Sequence, residues 1–144
     1  MTGVQCGFIS AGRGLGGRTK YFRVEVHPDA KSMRRSICAN DRWIRKRIGP
    51  CPHGHQHTAA MARYYGSWWE RRHKIVGTLF FHRGVFGAGV VAHECTHAAR
   101  YFTAPSNVPF TFTAKMDEPL AMTCHLLVRR FWIWWYKRNP ERRP

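Results

Sequence analysis

His93 and His97 stand four residues apart with Glu94 beside the first. The two imidazoles can act together only if residues 93–97 are helical, because 3.6 residues per turn bring positions four apart onto one face. The neighbours allow this. Val90, Val91 and Ala92 precede the pair, the uncharged Cys95 and Thr96 lie inside it, and Ala98 and Ala99 follow, with no Pro or Gly from 90 to 103. Flanks this apolar predict a helix buried on most sides, where an unpartnered carboxylate is costly. Two His and a Glu so arranged can hold one zinc ion between the rings and use the carboxylate as a base on water. A satisfied pair of core histidines beside a solvated glutamate is the alternative the same residues allow.

A catalytic zinc takes a third protein ligand and keeps a fourth position for water. Residues 117–128 offer one, since Glu118 follows His97 by about twenty residues, room for one loop and a return helix. Glu118, Ala121, Met122 and His125 share a helical face, and the small Ala121 permits close helix approach. Pro119 disfavours helical geometry at Glu118 and predicts that it sits at the helix mouth. Asp117 and His125 therefore stay open as alternative third ligands.

Upstream, Ile75 to His82 reads as the clearest strand, and Gly84, Gly87 and Gly89 bracket a turn into the metal helix. The run Val90-Val91-Ala92-His93-Glu94-x-x-His97-Ala98-Ala99, then Asp117-Glu118-x-x-Ala121 opening an apolar helix, resembles the glutamate-ligand branch of the zincin metallopeptidases. More narrowly, it is similar to the small zincin-like domains of phages and mobile elements, over roughly residues 75–130. The resemblance implies an α+β fold, a small mixed sheet packed on the active-site helix and a C-terminal return helix. It implies Zn2+ held by His93, His97 and Glu118, Glu94 as general base, and a protein or peptide substrate. Residues 75–82 would then be the sheet edge where an extended peptide adds by backbone pairing; an internal strand is the other reading.

Lys and Arg number 24 against 8 Asp and Glu, a net charge of +16. Such a field predicts salt-sensitive, non-specific association with nucleic acid and also suits an acidic peptide substrate. The basic residues are spread from Arg13 to Arg143 without a helix-turn-helix, zinc-finger or RNA-recognition signature, which argues against sequence-specific binding. Residues 1–19 lack an apolar signal core and no uncharged run reaches membrane-spanning length, so the expected compartment is the cytoplasm, the host's if the chain is phage-encoded. The five cysteines are expected as reduced thiols. A competing function is a basic nucleic-acid-associated or host-factor-binding module whose metal site is structural or vestigial; Glu94 speaks against it, since a structural site has no use for a base.

The chain divides into a Gly-rich flexible leader at 1–20, one domain at 21–138 and a basic tail at 139–144. Gly12-x-Gly14-x-x-Gly17 matches a dinucleotide-loop string, but the β-prone Tyr21 to His27 follows where a helix is required, so the nucleotide reading fails. Pro28 and Asp29 predict a helix start, with Ala30, Met33 and Ile37 at helical spacing. Cys51, His53, His55 and His57 are dense enough to raise a second metal site, though a polar loop beside the active site fits the lone cluster better. Thr58 to Tyr65 reads as helical, and Phe110 to Thr113 as a short strand. In the last helix, from Pro119 towards Lys137, the predicted core stripe is Leu120, Cys124, Leu127, Val128, Phe131 and Trp135. Trp132, Trp134 and Tyr136 fall on other faces, edged by Lys137 and Arg138. Besides zinc, the developing oxyanion needs a donor, and Arg100, Tyr101, His82 and the 53–57 histidines are candidates.

Overall fold

Strand alternation on residues 22–27 organises the molecule. Phe22, Val24 and Val26 point into one core while Arg23, Glu25 and His27 point the other way, as a two-residue period requires. The structure, a computed structural model, describes residues 3–14, 17–47, 60–84, 87–103 and 114–142. Among these, four strands form one mixed sheet: β1 (Gln5–Arg13), β2 (Thr19–His27), β3 (Ala60–Tyr64) and β4 (Ile75–His82), in the order β1-β2-β4-β3. β1 and β2 pair antiparallel, β2 and β4 parallel, and β4 and β3 antiparallel. Helix α1 (Ala30–Arg47) covers one face. Helices α3 (Ala88–Thr103) and α4 (Ala114–Arg138) pack on each other and on the opposite face, α3 over β3 and α4 over β1; α2 (Ser67–Arg72) leads into β4. The fold class is thus α+β, as expected. No helix among the described residues is long and apolar enough to cross a membrane.

The start of α1 follows from Asp29, whose Oδ1 accepts a hydrogen bond from the Ser32 backbone N–H at 2.7 Å. Met33 and Ile37 are buried against Phe80, as their spacing predicts, and the helix continues through the basic run to Arg47.

Several expectations are corrected. Residues 5–13 are not a flexible leader but a sheet strand. Backbone pairing to β2 holds β1, Arg130 Nη1 donates to the Ser10 carbonyl at 2.7 Å, and Gln5 Nε2 donates to Asn139 Oδ1 at 3.2 Å. The same contact shows that the segment read as a tail begins with a buried residue, Asn139. Gly12, with φ 97°, lies where the β1–β2 register shifts, and beyond it the Gly17 N–H donates to the Gly14 carbonyl at 3.0 Å. The glycine string is therefore bulge and hairpin turn. Ala60 to Tyr64 is a strand, not a helix, because its alternation buries Ala60 and leaves Ala62 and Tyr64 packed on the α3 side. β4 is internal, so residues 75–82 are not an edge; β3 is. Pro119 lies inside α4, which begins at Ala114, and Glu118 is not at its mouth. Trp134 belongs to the core with Leu127, Phe131 and Trp135, its ring lying over Gly7. The expected strand at 110–113 and the cluster Cys51, His53, His55 and His57 lie outside the described residues.

Candidate metal centre on the buried helix

Val91, Glu94, Cys95, Ala98 and Ala99 form the buried stripe of α3 at helical spacing. Glu94 therefore faces the sheet, while His93 and His97 stand on the flank, the first exposed and the second half-buried. The small side chains of Ala60 and Ala62 let α3 approach β3 closely enough for the Glu94 carboxylate to accept the backbone N–H of Ala62. Glu94 is 7% exposed. Burial raises its pKa above the ordinary carboxylate value; the neighbouring His93 and the Ala62 N–H oppose that rise only in part.

The His93 and His97 Nε2 atoms are 3.1 Å apart, with rings nearly perpendicular at 4.7 Å between centroids. Two nitrogens on one tetrahedral zinc at the usual bond length are separated by about 3.3 Å, so the two imidazoles fit a shared ion with little movement. Desolvation, then the charges of His93 and Arg100, lower the His97 pKa and keep that ring neutral, the form a metal ligand needs. Cys95 is no competitor for the ion. Its thiol is buried against the sheet and its pKa is pushed up to about 12, by burial first and then by Cys124 and Glu94.

α4 meets α3 where Thr96 Oγ1 and Cys124 Sγ approach to 3.4 Å. Glu118, Asp117 and His125 are all exposed on this helix. Among the described residues, no third His, Cys, Asp or Glu joins His93 and His97 in one group. Seven residues before Cys124, Asp117 comes round to within about 20° of the α3-facing stripe, whereas Glu118 and His125, themselves seven residues apart, share a face roughly 100–120° off Cys124. Asp117 is thus a carboxylate of equal interest to Glu118.

Of the oxyanion-donor candidates, His82 is excluded by strand parity. It follows Phe81 of the α3-side core and pairs in register with His27, on the face covered by α1. Tyr101 stands one turn beyond His97, and its ring stacks parallel on Tyr64 of β3 at 6.2 Å. That contact, and the Ala62 N–H on Glu94, had no signal in a sequence that made β3 look helical. The group on the far face of the sheet was legible in part: Arg23, Glu25 and His27 alternate in the sequence, but their convergence on Ser32 and Ser36 of α1 depends on helix packing. No protein family, curated protein or solved structure matches this chain.

Proposed function

We propose that the chain is a zinc-dependent hydrolase, a metallopeptidase, with His93 and His97 as ligands, a carboxylate from the head of α4 (Glu118, with Asp117 as its competitor) as third ligand, and Glu94 as general base. The observation that carries the reading is the position of Glu94: a buried, proton-attracting carboxylate beside two imidazoles whose Nε2 atoms are 3.1 Å apart. A purely structural site gains nothing from such a group, which costs stability in exchange for reactivity.

Zinc, when bound, supplies Lewis acidity that lowers the pKa of water and polarises a scissile carbonyl. Glu94 takes the proton from the attacking water onto its carboxylate and returns it to the leaving nitrogen, and its raised pKa brings it nearer the value that suits both transfers. The Ala62 N–H orients the carboxylate. Because β3 is an edge strand among the described residues and lies beside Glu94, an extended peptide would add there, antiparallel or parallel to Ala60–Tyr64, with its backbone running past the base. Among the described residues, Tyr101 and Arg100, on the turn after His97, are the remaining donor candidates for the developing oxyanion, and the 53–57 histidines lie outside them.

The test combines metal analysis with proteolysis. Protein purified without chelator should carry about one zinc per chain, and wild type but not Glu94→Gln should cleave members of a random peptide library. A zinc content near zero would remove the metal centre, and equal cleavage by Glu94→Gln would remove the mechanism.

A further inference from the structure

The sheet face turned away from His93 and His97 carries a second group of reactive side chains, shared between β2 and the first turn of α1. Alternation along β2 sets Glu25 and His27 on that face, and α1 packs over them. His27 Nε2 lies 3.0 Å from Glu25 Oε2, and His27 Nδ1 lies 3.0 Å from Ser32 Oγ. Hydroxyl, imidazole and carboxylate are thus joined in a row, the order in which a serine nucleophile is activated. Ser32 is half-buried whereas His27 is 2% and Glu25 6% exposed, so the hydroxyl is the member most open to solvent.

The partners decide which way the protons point. Arg23 Nε at 2.9 Å meets Glu25 Oε1, and Ser36 Oγ at 2.6 Å joins His27 on Oε2, a set of donors that suits an ionised carboxylate. Such a group only accepts, so the neutral imidazole carries its proton on Nε2, keeps Nδ1 as an acceptor, and receives the Ser32 hydroxyl proton there. The two ring nitrogens exchange the places they hold in the usual serine protease, but either can act as base once the other is held. Ser36 on Glu25 already ties α1 to β2, so the clamp does not need Ser32. Asp29 occupies the N–H groups of Ser32, at 2.7 Å, and Met33, at 3.2 Å, so the first-turn donors left without an intrahelical acceptor are those of Ala30 and Lys31. The Ser32 Cβ tilts towards them, as helical Cβ atoms tilt towards the N-terminus, and an oxyanion formed on Ser32 would develop on that side.

We propose that Ser32, His27 and Glu25 form a second, metal-independent centre that hydrolyses small carboxylic esters. The Ser32 oxygen attacks the ester carbonyl while its proton passes to His27 Nδ1. The tetrahedral intermediate collapses with cleavage of the bond to the alkoxide, which takes that proton from His27 and departs as an alcohol. Water then gives a proton to His27 and attacks acyl-Ser32; the acid leaves and the proton returns to the Ser32 oxygen. Ser32 and His27 are the catalytic residues, and Glu25 is a positioning residue that holds Nε2–H and stabilises the transient imidazolium. Esters are the fitting class because an alkoxide leaves more readily than an amine. The centre stands apart from the one at His93 and His97 and survives if that reading fails.

A fluorophosphonate probe and p-nitrophenyl acetate, both used on the full chain, test it. Peptide mass spectrometry should place the phosphonate on Ser32, and the acetate should give a burst of nitrophenol followed by slower turnover. Both should persist in the presence of a zinc chelator, which separates this centre from the metal site. Ser32→Ala, a small change at a half-buried position, should abolish labelling and lower ester turnover about a hundredfold. His27→Gln, read on protein that keeps the wild-type circular dichroism, should do the same. Glu25→Gln should lower kcat about tenfold or more with KM unaltered, a split that loss of packing alone would not produce. No adduct at Ser32, adducts on other serines only, or ester turnover that survives in Ser32→Ala or vanishes with the chelator would overturn the proposal.

Discussion

Glu94 of the buried helix accepts a hydrogen bond from the backbone N–H of Ala62 on β3, an edge strand of the sheet among the described residues. A helix carboxylate and a strand edge are thereby tied together at the place where two imidazoles converge, and this contact joins the proposed base to the proposed substrate track. Replacing Glu94 by Gln keeps the size and can keep the Ala62 contact, but it removes the proton acceptor. Peptide hydrolysis should fall by about a hundred- to ten-thousand-fold. Zinc content, measured on the same preparation, should stay at the wild-type level.

The third ligand is separable by metal retention. Asp117→Ala, Glu118→Ala and His125→Ala all change exposed side chains, so none should impair folding. Dialysis against a weak chelator should strip zinc faster from Glu118→Ala than from wild type. If Asp117→Ala loses the ion instead, the helical position in line with Cys124 outranks the resemblance to zincins.

Glu25 controls the acid side of the stability profile. Burial alone would raise its pKa, but hydrogen bonds from His27 and Ser36 and the charge of Arg23 outweigh that effect and hold it below the ordinary carboxylate value. A carboxyl whose folded-state pKa lies below its unfolded value contributes stability that is fully present above the unfolded value, near pH ~4.3, and is lost as pH falls through the lowered one. Denaturant unfolding of the wild type should therefore weaken as pH drops below about 4.3. Glu25→Gln should flatten that dependence and cost about 2–3 kcal/mol at pH 7, since it strips charge-assisted hydrogen bonds from a buried group.

Gly7 on β1 has no room for a side chain, because an added Cβ would run into the Trp134 indole. Gly7→Ala should lower stability by about 1–3 kcal/mol, the usual cost of overpacking, measured as a shift of the urea midpoint. A neutral result would mean that β1 does not dock on α4 as described.

Asp29 caps α1 through Ser32. Asp29→Ala should cost about 1 kcal/mol, and Asp29→Asn, which keeps the accepting oxygen, should recover most of it.

The elements legible in the sequence are those whose signal is local. Pro28 and Asp29 begin α1 because one fixes φ and the other accepts an orphan N–H. Ile75 to His82 is a strand because an apolar, β-branched and aromatic run of that length packs on both faces. The His93–His97 spacing demands a helix, and α3 spans it. β3 was illegible because Ala60, Met61 and Ala62 are good helix formers. They pair with β4 for a tertiary reason, since alanine is small enough to admit α3, and packing overrides propensity. β1 was illegible because its glycines suggest a loose leader, whereas Gly7 is required by Trp134 and Gly12 by a bulge, neither visible without the partner. Pro119 misled in the same way, as its local bias against helix at Glu118 gives way in a helix packed along α3.

What this sequence determined by itself is therefore the chemistry available: two imidazoles and a carboxylate on one turn, an excess of cations, and strands and helices whose periodicity is their own. Tertiary structure alone decided which groups meet. It set Glu94 against β3, brought Asn40, Trp43 and Glu25 to one cleft, and turned His82 away from the metal helix. Spacing along the chain governs only neighbours within an element, while contacts between elements depend on which faces each must bury.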